Sequence, residues 1–174
     1  SNYNHIYLNQ NWGLIDKLCE KNFLKLSIKF FNHKNDDLLK KIWKRNFKNK
    51  IKILDSKKSY KGSIFKDFDL VIINDFSTAF YELMYYKKPF IILNSAAPTN
   101  FRNKFWKVVK ELKKINLWFD DEKKLAVFLQ NNIKSFISSW DKTIKSKQYS
   151  KVTNKLFATD RFNDRIFINS IQKL

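Results

Sequence analysis

The sequence predicts an α/β fold, a three-layer α/β/α sandwich built on a parallel, Rossmann-like sheet with a helical C-terminal tail. Residues 70–73 and 90–93 are short apolar runs without polar alternation, which is typical of strands buried on both faces. Segments with apolar residues at helical spacing alternate with the predicted strands, as in layered α/β proteins. Residues 69–93 therefore predict a compact strand–helix–strand unit with parallel strands and a right-handed crossover.

The first half of the chain predicts two further strands. Alternating apolar residues favour a strand at 24–31. Helical spacing favours a helix at 37–47, and its packing residues are expected to be Leu38, Leu39, Ile42 and Trp43. The other elements predicted in this half are a polar lead-in at 1–10, a short helix at 11–22, a polar turn at 32–35, a strand at 51–54 and a brief helix at 63–68.

The second half is predicted to be mainly helical. In the central unit, a helix at 79–86 follows a turn at 74–76, and Pro89 ends this helix because proline disfavours helical geometry at the preceding residue. An apolar stripe predicts an amphipathic helix at 101–115. Residues 117–119 are too short to assign, with an edge strand left open, and 146–159 are ambiguous. A loop is predicted at 94–100 and a closing helix at 160–173. Between them, a helix is predicted to begin at the acidic residues 120–122, and its apolar residues continue at helical spacing as far as Trp140.

Composition limits the class of protein. Hydrophobic residues make up 44% of the chain and aromatic residues 17%, which excludes a disordered protein, and no apolar run reaches the length of a membrane span. The single Cys19 rules out an internal disulfide and fits a reducing compartment, so we expect a cytoplasmic protein. The whole chain, residues 1–174, is read as one domain.

The net charge of +19 predicts attraction to polyanions, either nucleic acid or anionic lipid. The lysines are scattered without a long block, as on a solvated surface. Of the two attractions, peripheral contact with the inner face of an anionic membrane is favoured, and no specific nucleic acid is expected.

Only two glycines are present, which excludes a Gly-rich dinucleotide fingerprint and a P-loop. A phosphate would then have to be bound by a helix N-terminus and hydroxyl groups, and Ser77 and Thr78 stand where such a helix begins. Glu82 lies one turn further and can accept hydrogen bonds from ribose hydroxyls. The alternative is that Ser77 only caps its helix and that Glu82 pairs with a neighbouring lysine. Two histidines and one cysteine predict no metal cluster, so we expect neither a metal nor a cofactor.

Residues 69–93 resemble the nucleotide-binding, C-terminal half of GT-B type transferases of bacterial surface carbohydrates, in particular Kdo-transferase-like and CDP-glycerol glycerophosphotransferase-like families. The shared pattern begins with an apolar strand, here residues 70–73, which is followed by Asp75 and by the hydroxyl pair Ser77 and Thr78. It continues with a helix that contains the acidic Glu82 and ends in the Lys-Pro step Lys88-Pro89. The resemblance implies that the hydroxyl pair contacts donor phosphate and that Glu82 contacts ribose.

A second segment, residues 26–33, is similar to the strand of these transferases that ends near a basic residue and a His-Pro step. The resemblance implies that Lys29 and His33 lie near the donor phosphates, although no Pro follows His33 here. An ordinary solvated lysine and an ordinary turn histidine are the alternatives. Residues 111–130 and the segments after them are also similar to surface-polysaccharide transferases.

The resemblance implies transfer of a glycosyl or alditol-phosphate group from a nucleotide-activated donor, which is a substrate rather than a cofactor. The chain would be the donor-binding lobe of a larger two-lobed enzyme, with the N-terminal lobe of that enzyme as its partner. The catalytic base would lie in the other lobe, so no catalytic residue is assigned and this chain alone would be inactive. Two other functions stay open, a basic α/β module that binds nucleic acid and a non-catalytic assembly subunit.

Overall fold

A computed structural model describes residues 13–19, 26–29, 36–54, 65, 67–74, 78–94 and 103–157. The chain divides into two compact units, Ser1–Tyr60 and Lys61–Leu174. Each unit has its own parallel strands.

The Ser1–Tyr60 unit is a strand–helix–strand arrangement preceded by a helix at residues 13–19 (α1). Strand Leu26–Lys29 (β1) pairs in parallel with strand Ile51–Leu54 (β2), and Leu26 lies opposite Ile51. Helix Asp36–Phe47 (α2) and the 3₁₀ turn Lys48–Lys50 connect them. The predicted strand at 51–54 is confirmed, and the strand predicted at 24–31 is described as strand over Leu26–Lys29 alone.

Helix α2 packs through an aromatic pair. Trp43 and Phe47 are 2% and 4% exposed, and their ring centroids lie 5.2 Å apart. Leu38 is 62% exposed and Ile42 is 39% exposed, so the prediction that both pack into the core was wrong. The apolar residues of this helix are spread over about half of its circumference, and the two large rings take the buried side.

The Lys61–Leu174 unit is built on a three-stranded parallel sheet with the order β3-β4-β5. Its described elements are Val71–Ile73 (β3), Thr78–Tyr85 (α3), Phe90–Leu93 (β4), Asn103–Lys114 (α4), Trp118–Phe119 (β5), Glu122–Ser138 (α5), Trp140–Ile144 (α6) and Lys147–Phe157 (α7). The α/β class, the parallel strand direction and the helical C-terminal part are thereby confirmed, and the edge strand left open at 117–119 is β5.

Strand β4 lies at the centre of this sheet and of the core. Its residues Phe90, Ile91 and Ile92 are fully buried and Leu93 is 2% exposed. Because successive residues of a strand point to opposite faces, burial of all four means that both faces of the sheet are covered here. This is the burial that an apolar run without alternation predicts.

Trp140 joins several helices to β4. Its ring meets Phe90, Phe136 and Tyr149 at centroid distances of 5.7, 6.0 and 6.0 Å. Its indole Nε1–H donates a 2.6 Å hydrogen bond to the carbonyl oxygen of Lys87 in the turn between α3 and β4. Buried indoles usually need such an acceptor, and this bond fixes α6 against the turn.

The sequence predictions differ from the structure mainly after residue 119. The helix predicted from 120 to Trp140 ends at Ser138, and α6 begins at Trp140. The ambiguous stretch at 146–159 contains the full helix α7. The predicted lead-in at 1–10 and closing helix at 160–173 lie outside the described residues. Within the described ranges, no helix is both long enough and apolar enough to cross a bilayer.

Candidate functional site

The turn from β3 to α3 lies at the carboxyl edge of the parallel sheet. β3 ends at Ile73, α3 begins at Thr78, and the side chain of Thr78 is exposed. Helix α4 also follows the carboxyl end of its strand, because it comes after β4. In open parallel sheets this edge is where ligands bind, and helix N-termini there present backbone N–H groups and partial positive charge.

The electrostatics of the three helix starts at this edge differ. Neither α3 nor α4 has an acidic residue in its first turn. Helix α5 has Glu122 in its first turn, and its N-cap residue Asp121 accepts a 2.9 Å hydrogen bond from the backbone N–H of Lys124. That bond is the main reason why the pKa of Asp121 is lowered. A carboxylate therefore already occupies the positive end of α5, whereas the first turns of α3 and α4 contain none.

Glu82 lies on α3 four residues after Thr78, so the two side chains point to the same side of the helix. They differ in access to solvent, because Thr78 is exposed and Glu82 is only 3% exposed. The structure thus brings together two of the site residues that the sequence predicted. Their predicted contacts with donor phosphate and ribose stay predictions.

The other predicted site residues are less fully described. Lys29 is the last residue of β1, at the carboxyl end of that strand and in the Ser1–Tyr60 unit. His33, Asp75 and Ser77 lie outside the described residues, as does the loop from 95 to 100.

A cavity of about 90 Å³ lies among helices α3, α4 and α7. It is lined by Tyr81 of α3, Phe105 and Val108 of α4, and Lys155 and Leu156 of α7. Tyr81 and Phe105 belong to the first turns of their helices, so the cavity lies toward the carboxyl edge of the sheet. Burial raises the pKa of the Tyr81 hydroxyl, which is a hydrogen-bond donor in its protonated form. The cavity therefore combines aromatic and aliphatic walls with one ammonium group.

Positive charge extends along α7 next to this cavity. Glu111 of α4 is 8% exposed, and Lys114 donates a 3.0 Å hydrogen bond to its Oε1. This bond is the main cause of the lowered pKa of Glu111, and the charges of Lys151 and Lys155 add to it. One carboxylate thus faces three lysines, which leaves this part of α4 and α7 net positive, and Lys155 alone among the three lines the cavity.

The sequence did not point to Tyr81, Phe105 or Lys155 as site residues. Tyr81 had a weak signal, since it follows Thr78 by three residues on a helix already assigned to the site. Phe105 belonged to an apolar stripe that predicts core packing. The spacing of Tyr149, Val152 and Leu156 could have predicted the helix that carries Lys155, but nothing in the sequence distinguishes Lys155 from the other lysines.

Comparison with known protein families places this chain among the transferases. More narrowly, it belongs to the LIC12162 family of transferases, whose family model matches residues 2–159. No curated protein and no solved structure matches the chain. The transferase class implied by the resemblance at residues 69–93 is therefore confirmed.

Proposed function

We propose that this chain binds the nucleotide-activated donor of a GT-B type transferase that moves a glycosyl or alditol-phosphate group during bacterial surface-polysaccharide synthesis. The observation that carries the proposal is the β3–α3 turn at the carboxyl edge of a parallel sheet, with Thr78 exposed at the helix start and no acidic residue in the first turn. Membership of a transferase family supports it.

The physical task at this turn is to stabilise the leaving phosphate of the donor. Negative charge grows on that phosphate as the bond to the transferred group breaks, and preorganised N–H groups at a helix start act most strongly on such charge. The Thr78 hydroxyl adds a donor at the same place, and Ser77 adds a second one in the proposal. Glu82 would accept hydrogen bonds from the ribose hydroxyls.

The neighbouring cavity supports a supplementary role for Lys155. A volume of about 90 Å³ is well below that of pockets that enclose a whole drug-sized ligand, so only part of a donor would enter. The Lys155 ammonium would pair with a phosphate oxygen there, and the rings of Tyr81 and Phe105 would pack against a planar or apolar portion of the donor.

In this proposal the acceptor and the catalytic base belong to a separate N-terminal lobe of the same enzyme. The chain therefore supplies donor binding and charge stabilisation, and its own residues carry out no proton transfer. The donor is a CDP-alditol or a nucleotide sugar, and its diphosphate is the part that the β3–α3 turn recognises.

The proposal is tested by thermal-shift measurements with CMP, CDP, UDP, GDP and their sugars. At least one nucleoside diphosphate should raise the melting temperature, since a ligand that binds only the folded protein stabilises it by mass action. The Ser77→Ala/Thr78→Ala double variant should lose this shift, and Lys155→Gln should reduce it.

Matched controls are Ser150→Ala and Lys147→Gln, which remove an exposed hydroxyl and an exposed ammonium on α7. Both should keep the full shift. A full shift in the Ser77→Ala/Thr78→Ala variant would remove the hydroxyl pair from the site. If no nucleotide shifts the melting temperature of the unaltered chain, the donor-binding proposal fails and a non-catalytic role takes its place.

A further inference from the structure

The outward side of α2 combines exposed apolar and cationic side chains. We define the α2 outer face as Leu38, Lys41, Ile42 and Arg45, all of which are exposed. At about 100° per residue, these four lie within an arc of roughly 100° and opposite the buried pair Trp43 and Phe47. Leu38 and Ile42 are 62% and 39% exposed, so two large aliphatic side chains face solvent side by side.

Cations surround these aliphatic residues, and the local charge is predominantly positive. Lys44, Lys48 and Lys50 are also exposed, and residues 38–50 contain no acidic residue at all. The acidic residues of the helix are confined to its start, where Asp37 pairs with Lys40 at 3.7 Å. The positive charge on the outer face is therefore not neutralised by carboxylates of its own helix.

This combination favours a lipid surface over other polyanions. Single-stranded nucleic acid is bound through cations with aromatic stacking side chains, and the α2 outer face contains no aromatic residue. A helix that lies in a membrane interface needs both properties, an apolar strip that enters the headgroup–acyl boundary and cations that meet lipid phosphates.

We propose that the α2 outer face docks onto the surface of an anionic lipid bilayer. Leu38 and Ile42 enter the boundary between headgroups and acyl chains, and Lys41, Lys44, Arg45 and Lys48 contact lipid phosphates. Helix α2 lies parallel to the membrane plane. This docking does not depend on donor binding, so failure of the proposed function leaves it standing, and its own failure leaves the donor site untouched.

The test is co-sedimentation of the full chain with two kinds of vesicle, phosphatidylcholine alone and an equal mixture of phosphatidylcholine and phosphatidylglycerol. The chain should bind the mixed vesicles and not the neutral ones. Lys41→Gln/Arg45→Gln should weaken binding about 30-fold, because each cation near an anionic surface contributes about 1 kcal/mol. Leu38→Ser/Ile42→Ser keeps the charge and should weaken binding about tenfold or more, because the apolar surface that enters the bilayer is lost.

The control variant is Lys123→Gln/Val127→Ser on α5, which removes one exposed cation and one exposed aliphatic side chain at the same i,i+4 spacing. This variant should change vesicle binding less than twofold, which corresponds to roughly 0.4 kcal/mol, because the cation that it removes lies away from the proposed contact and is screened by salt. Circular dichroism should show that all variants keep the fold.

Three results would overturn the proposal. One is equal binding to neutral and mixed vesicles, and another is binding by Leu38→Ser/Ile42→Ser that matches the unaltered chain. The third is tight binding of single-stranded RNA that is lost in Lys41→Gln/Arg45→Gln but kept in Leu38→Ser/Ile42→Ser, which would assign the face to nucleic acid instead.

Discussion

Trp140 and Tyr149 are in contact in the core, and each ring carries a polar group. The two groups differ in their hydrogen bonding. The Trp140 Nε1–H donates to the Lys87 carbonyl, whereas the Tyr149 hydroxyl has no hydrogen-bond partner among the described residues. Tyr149 is only 5% exposed, and burial raises its pKa to about 12. A buried hydroxyl without a partner loses its hydration and gains nothing in return.

Tyr149→Phe should therefore stabilise the protein. It removes the buried hydroxyl and keeps the ring, and the free energy of unfolding should rise by about 1 kcal/mol. The difference in free energy of unfolding between Tyr149→Phe and the unaltered chain also depends on pH. Since the folded pKa is raised from 10.0 to about 12, the stability linked to this proton is present below pH 10 and is lost as the pH rises toward 12. The variant should lose less stability than the unaltered chain in this window.

Urea unfolding at pH 8, 10 and 12 measures both effects, because these pH values cover the ordinary pKa of tyrosine, 10.0, and the raised pKa of Tyr149, about 12. Tyr85→Phe serves as the control, because Tyr85 is 51% exposed and its hydroxyl reaches solvent. Destabilisation by Tyr149→Phe at pH 8 would show that the hydroxyl does have a partner in the folded protein.

Helices α3 and α4 end in the same way, and glycine is absent from both ends. In each, the second residue after the last helical residue has a left-handed backbone, Lys87 with φ 51° and Asn116 with φ 56°. The next N–H closes the helix by a bond to a carbonyl five residues back, Lys88 to Leu83 at 3.0 Å and Leu117 to Leu112 at 2.9 Å. This is the Schellman arrangement, in which glycine is the residue usually found at the left-handed position.

Replacement of these two residues by glycine should have unequal effects. Lys87→Gly should raise the free energy of unfolding by about 1 kcal/mol, because a β-carbon makes the left-handed conformation costly. Asn116→Gly should raise it by less, since asparagine tolerates this conformation. Chemical denaturation measures both, with Lys87→Ala as the control that keeps the β-carbon and should give no gain. An equal gain in Lys87→Gly and Lys87→Ala would contradict this account of the turn.

At the level of elements, the sequence predicted strands well where apolar runs are bounded by polar residues. The strands at 51–54 and 90–93 are found with the predicted bounds. The sequence did not predict where α5 ends. Trp140 continues the helical spacing of Leu129 and Phe136, although α5 ends at Ser138 and α6 begins at Trp140. Serines 135, 138 and 139 each donate to a carbonyl three residues back, and such bonds compete with the helix ladder.

Helix α7 and the cavity were missed for a different reason. The segment Lys147–Phe157 contains Ser, Val, Thr and Asn, which are poor helix formers, and its buried residues Tyr149 and Val152 face other helices. Its stability comes from tertiary packing, which a single sequence does not display. Lys155 reaches the cavity only through that packing, whereas Thr78 and Glu82 were predictable because a local strand-to-helix pattern places them.

For the whole molecule, the two proposals rest on different units. The Lys61–Leu174 unit contains the β3–α3 turn and the cavity, and the Ser1–Tyr60 unit contains the α2 outer face. The positive charge that gives the chain its net charge of +19 is therefore present in both units. On α7 it surrounds a cavity beside a helix start, and on α2 it surrounds exposed aliphatic side chains.

The central claim is that the start of α3 binds the phosphates of a nucleotide-activated donor. Amide NMR of the full chain, titrated with the nucleoside diphosphate that gives the largest thermal shift, tests it most directly. The amides of Thr78 and Tyr81 should move in a saturable way together with that of Phe105, and the Lys155→Gln variant should need more ligand to saturate. Saturable shifts confined to other parts of the chain, with these three amides unmoved, would contradict the claim.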